Sequence, residues 1–148
     1  MRIFLSASFK GIRGNQIEIS DKPNDDGLYY IIAAVSEGSS AYSDSRIYLF
    51  SSNNNSIIWS TNSMQNGVIR QNDLQMSDNG EIIAVNVAVN YRTYVFDKDS
   101  STPLWNHVTG SPGYQEVSIS GDGEFELLLN SRYNSRLLCS SISHSETS

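Results

Sequence analysis

Apolar and polar residues alternate along this chain, or apolar residues run on for about four to eight positions before a turn signal. Gln16-Ile17-Glu18-Ile19-Ser20 alternates, as do Asp73-Leu74-Gln75-Met76-Ser77 and Val117-Ser118-Ile119-Ser120. A period of two sends successive side chains to opposite faces of a strand. Each alternating stretch leads into a turn: Asp21 to Gly27 with Pro23, then Asp78-Asn79-Gly80-Glu81, then Gly121-Asp122-Gly123-Glu124. Asn-Gly is a strong hairpin signal, and glycine takes the positive φ such turns need. A more continuous apolar stretch follows each turn: Leu28 to Val35, Ile82 to Val89 and Phe125 to Leu129. After a polar stretch comes a third strand, at Arg46-Ile47-Tyr48-Leu49, Arg92-Thr93-Tyr94-Val95 and Arg136-Leu137-Leu138-Cys139. The segments around Trp59 and Trp105 make a fourth. No stretch in the middle of the chain carries helical periodicity, and a helix over Val117 to Leu129 would have to pass through Gly121 and Gly123.

The units repeat. Arg46 to Phe50 followed by Ile58-Trp59 is echoed by Arg92 to Phe96 followed by Leu104-Trp105, and the interval from Arg46 to Arg92 equals those from Phe50 to Phe96 and from Trp59 to Trp105. The spacing lies near the roughly 40–45 residues of one propeller blade. The pattern predicts an all-β protein of β-propeller-type repeats: four-stranded antiparallel blades, about three of them, forming an open arc or a ring closed by assembly. The repeat domain is expected over 1–139, with units at 15–62, 72–108 and 115–139, and a polar Ser-rich tail over 140–148. That tail begins where the repeat calls for a Phe, as in a repeat series cut short.

Composition agrees with strands. The chain has 148 residues, 39% of them hydrophobic, with eight Tyr, five Phe and two Trp, enough for one domain with a real core. Ser and Asn cluster between the apolar runs, as turns require. The net charge of −6 argues against unaided binding to nucleic acid or anionic lipid, which needs a positive footprint. The single cysteine, Cys139, excludes an internal disulfide and a four-thiolate zinc site. No apolar run reaches the roughly 20 residues of a membrane-spanning helix. Met1 to Phe9 has the look of a signal-peptide start, but Lys10 cuts the run short, so a mature or cytoplasmic domain is the better expectation.

Tyr94-Val95-Phe96-Asp97-Lys98-Asp99 followed by Pro103-Leu104-Trp105 resembles the repeat of quinoprotein-like (PQQ-like) propellers, where an aspartate-bearing turn leads into a Leu-Trp strand. Val117 to Glu124 resembles the inner strand and turn shared by PQQ-like and WD40-like propellers. The likeness covers roughly residues 15 to 140. It departs from the families in three ways. The tryptophan-docking positions are incompletely matched. Trp59 and Trp105 are followed by Ser60 and Asn106, not by the Asp of a WD40 blade. The vicinal disulfide of quinone-binding relatives needs two cysteines. The resemblance therefore implies a fold and no catalytic residue. Three blades are fewer than the four to eight typical of closed propellers, and an open arc invites self-association if the chain is complete.

Tyr48, Phe50, Trp59, Tyr94, Phe96 and Trp105 are expected to form the repeated core, because repeated aromatics bury a repeated interface. The alternative use of the two tryptophans is an aromatic platform for a ligand. Asp97 to Thr102 has the opening of a calcium loop but lacks its sixth-position glycine and its distal glutamate, so it reads as a polar turn. Asp21 to Asp26 reads as a turn for its Pro23 and Gly27. His107 and His144 have no identifiable triad partner. Cys139 in a strand reads as a small hydrophobe. Asn54-Asn55-Ser56 matches a glycosylation acceptor, a pattern common by chance in such a chain.

The expected function is a non-catalytic binding or scaffold module, with no cofactor and no metal. Its contact surface would lie on rim loops such as Ser36 to Ser45, Asn62 to Asn66 and Asn106 to Gly113. One rival is part of a quinoprotein-like or hydrolytic propeller enzyme whose site needs further blades or partner subunits. Another is a repeat segment of a larger surface protein.

Overall fold

The computed structural model describes residues 12–37, 44–53, 56–62, 64, 69, 73–87, 91–108, 115–130 and 137–141. All the secondary structure in them is β. The first sheet pairs β1 (Ile12–Ile19), β2 (Tyr30–Glu37), β3 (Asp44–Ser51) and β4 (Ile57–Ser60) in that order. The second pairs β5 (Leu74–Met76), β6 (Ile82–Val87), β7 (Arg92–Asp97) and β8 (Trp105–Val108) in the same up-and-down order. The third holds β9 (Gln115–Ile119), β10 (Phe125–Asn130) and β11 (Leu137–Ser141), with β10 in the middle. Every pairing is antiparallel.

These are the blades that the alternation and turn signals predict. The last strand differs in extent. β11 includes Ser140 and Ser141, which pair with Glu126 and Phe125 across the ladder, beyond the boundary expected at residue 139. Backbone hydrogen bonds carry a ladder past polar side chains, so composition alone placed the end too early. Residues 142–148, with His144, lie outside the described residues, as do Asn54 and most of the three expected rim loops.

The core sits between sheets. Ile32, Ala34, Ile47 and Leu49 of the first sheet meet Leu74, Ile83, Val85, Val87 and Phe96 of the second. Ile82, Ala84 and Val95, on the other face of the second sheet, meet Val117 of the third. All six residues of β6 are buried. Its unbroken apolar opening, Ile82-Ile83-Ala84-Val85, follows from facing a neighbouring sheet on both sides. β1 contacts β5 and β5 contacts β9, so the first strands of successive sheets stand side by side and the sheets follow one another like blades.

The turns between the first two strands of each sheet lock the sheets together. In the second sheet Gly80 N–H donates to the Ser77 carbonyl at 2.9 Å and the Ser77 hydroxyl donates to Asn79 at 2.9 Å. The third sheet repeats this with Gly123, Ser120 and Asp122. Gly80 has φ +75°, and a Cβ there would lie 2.8 Å from the Tyr30 ring of the first sheet. A Cβ on Gly123 would lie 2.9 Å from Ile82 of the second. Both glycines thus serve the turn and the close approach of the preceding blade.

Candidate interaction surfaces and the seams between blades

A backbone ladder runs across the three hairpin turns. Lys22 N–H donates to the Asp78 carbonyl at 2.7 Å, and Asp78 N–H donates to the Gly121 carbonyl at 2.8 Å. Each rung joins one blade to the next in the same sense. The Lys22 ammonium reinforces the first rung through a 2.6 Å bond to Asp78 Oδ2. That hydrogen bond, with the attraction of the same carboxylate, raises the Lys22 pKa. In the third turn the Ser120 hydroxyl and the Glu124 N–H, both donating to the Asp122 carboxylate, hold its pKa below the ordinary value.

Farther out, Trp59 of β4 crosses the first seam. Its indole N–H donates to the Lys98 carbonyl in the β7–β8 turn at 2.6 Å, and its ring lies 5.7 Å from that of Phe96. Tyr94 stacks on Phe96 at 6.2 Å and packs against the same cluster. Trp105, half-buried, packs with Ile119 against the second seam. Tyr48 and Phe50, with rings 6.4 Å apart, cluster with Ile31 and Val35 on the opposite face of the first sheet. The six aromatics singled out in the sequence therefore divide among three apolar layers.

The polar groups singled out in the sequence take up turn positions. Asp97 accepts the Asp99 N–H at 2.8 Å and its carbonyl accepts from Ser100, while Asp99 pairs with Lys98 at 2.7 Å. Burial lowers the Lys98 pKa, but its hydrogen bond to Asp99 and the nearby carboxylates outweigh that and raise it. Asn24 organises the first turn, accepting from the Asp26 and Leu28 amides. Asp21, Asp25 and Asp26 are exposed around it. His107 is exposed on β8 opposite Thr93. Cys139 pairs through its backbone with Leu127. Among the described residues no three His, Cys, Asp or Glu side chains cluster as metal ligands would, and no helix is long and apolar enough to cross a membrane.

One polar network is not evident from the repeat. Asn86, 1% exposed within β6, donates to the buried Asp73 carboxylate at 3.2 Å, its backbone N–H donates to the Asp73 carbonyl, and Thr93 approaches its side-chain oxygen at 3.5 Å. A lone Asn in an apolar strand is the one sequence signal that could have found it.

The large hydrophobics left exposed among the described residues fall in two places. Ile57 (49%) and Ile58 (42%) lie on β4, and Leu104 (50%) and Val108 (53%) lie at either end of β8. These are the outermost strands of the first two sheets. Ile17 (59%) and Ile19 (50%) lie on β1.

The chain is similar to the β-propeller domain of Myceliophteria thermophila Cps50 (Swd1), with a TM-score of 0.52 and 14% identity over 86% of this chain and 43% of that one. The sheets are propeller blades. KlHsv2 with loop 6CD replaced by a Gly-Ser linker also matches, with a TM-score of 0.44 and 15% identity over 87% of this chain and 45% of that one. The chain spans less than half the length of both. No protein-family model matches it, and no curated protein does.

Proposed function

We propose that this chain is a non-catalytic, protein-binding propeller segment built from PQQ-like or WD40-like repeats. Its six repeated aromatics Tyr48, Phe50, Trp59, Tyr94, Phe96 and Trp105 serve as blade packing. The observation that carries this reading is the division of labour among its side chains. Asp73, Asp78, Asn79, Asp97 and Asp122 hold turns and seams. Ile57, Ile58, Leu104 and Val108 face solvent on the outer strands. Apolar side chains displayed on a rigid β scaffold suit contact with another protein. Rim loops between blade strands are free to vary in sequence while the blade core stays fixed.

The test is affinity capture from cells of the source organism, comparing the wild-type chain with a Leu104→Ser/Val108→Ser variant of equal thermal stability. A defined protein held stoichiometrically by the wild type and lost with the variant is the expected result. Co-purification of a quinone or metal with turnover would favour the enzyme reading instead.

A further inference from the structure

We infer that Asn79 is a site of spontaneous deamidation, held back by its own hairpin turn while the chain is folded, and that its isoaspartate product opens the first seam. Asn79 is followed by Gly80, and the chemistry is internal to that pair. The Gly80 amide nitrogen, unshielded because glycine has no side chain, loses its proton and attacks Asn79 Cγ. An N–Cγ bond forms, the Cγ–Nδ2 bond breaks, and the amide nitrogen leaves with the proton as ammonia. Water then opens the five-membered ring. Addition at Cγ gives aspartate. Addition at the backbone carbonyl of residue 79 gives isoaspartate, in which the main chain runs through the former side chain.

The turn opposes the first step. The ring nitrogen carries no hydrogen, so closure forfeits the 2.9 Å bond from Gly80 N–H to the Ser77 carbonyl. Gly80 is buried and lies so close under Tyr30 that a Cβ there would stand 2.8 Å from that side chain. A buried carbonyl that loses its donor costs the full desolvation of that group. The Ser77 hydroxyl at 2.9 Å and the Glu81 N–H at 3.2 Å also fix the Asn79 side-chain oxygen. The two products then differ. The third blade carries Asp122 at the matching place, where its carboxylate accepts from the Ser120 hydroxyl and the Glu124 N–H in the same way. Aspartate at position 79 therefore fits the turn. Isoaspartate adds one main-chain atom between Ser77 and Gly80 and draws the oxygen that Ser77 and Glu81 grip into the backbone. That displaces Gly80 from beneath Tyr30, and Asp78, whose carbonyl accepts the Lys22 N–H, lies in the same turn.

Site-resolved peptide mapping of the chain aged in mildly alkaline buffer, folded and in urea, tests both parts. Folding should slow conversion at Asn79 by about tenfold or more, the effect of losing one buried hydrogen bond on ring closure. Chain aged in urea, refolded and digested briefly with protease should leave a resistant fraction that holds aspartate at position 79 and lacks isoaspartate there. The Asn79→Asp variant should keep the wild-type melting temperature, which separates the added charge from the altered backbone. Conversion in the folded chain at the rate seen in urea, isoaspartate surviving at position 79 in the resistant fraction, or an Asn79→Asp variant that fails to fold would each overturn the inference.

Discussion

At the level of single residues, positive φ and close packing can be separated. Gly27 and Gly80 share nearly the same φ, +77° and +75°, but a Cβ on Gly27 meets nothing within 4 Å while one on Gly80 meets Tyr30 at 2.8 Å. Gly27→Ala should cost only the left-handed strain, about 1–2 kcal/mol. Gly80→Ala should cost clearly more, and denaturant melts of the two variants measure the difference that the seam imposes. Phe96, 1% exposed, should cost about 3–5 kcal/mol on truncation to Ala. Trp105→Ala should cost less, since Trp105 is only half-buried. Asp122 adds a pH dependence. Its folded-state pKa is lowered by Ser120 and the Glu124 amide, so the stability it contributes is present above the ordinary carboxylate value and is lost as the pH falls through the lowered one. Melting temperatures measured across acidic pH should fall less steeply for Asp122→Asn than for the wild type.

Strands and turns are the next scale, and here patterning was most legible. The alternation around Leu74 and Val117 and the Asn-Gly and Gly-Asp-Gly turns predicted β5, β9 and their hairpins, because period and turn chemistry are local properties. Asn86 was not legible as a buried group. Its place inside an apolar run says only that something must satisfy it, and Asp73, from the stretch leading into β5, supplies the partner. Asn86→Ala leaves the Asp73 carboxylate short of a donor in a buried site and should destabilise by about 1–3 kcal/mol. Asp73→Ala/Asn86→Ala should cost less than the sum of the single changes, which a double-mutant cycle would reveal.

At the scale of the whole molecule, the seams between sheets hold the blades together. Successive blades bury their seams in the same way, with a hairpin turn at the inner edge and an aromatic at the outer. Trp59 links the first seam through its bond to the Lys98 carbonyl. Trp59→Phe keeps most of the ring packing against Phe96 and removes that one bond. It should cost about 0.5–1.5 kcal/mol, read as a lower melting temperature. On the first blade's other face Ile31, Tyr48 and Phe50 are buried while Ile17 and Ile19 of β1 are exposed.

The sequence by itself determined the strands, the turns and the blade period. Each of these is encoded within a few residues or in the spacing of the Arg46 and Arg92 segments. Tertiary structure alone decided which face of each strand meets a neighbour. The aromatics alternate in the same way whichever layer their face joins, so Tyr48 and Tyr94 read alike although they lie on different layers. It also decided that Asp78, an ordinary turn residue in the sequence, joins Lys22 to Gly121. Contacts between residues so far apart in the chain depend on the stacking of whole sheets, which no local pattern specifies.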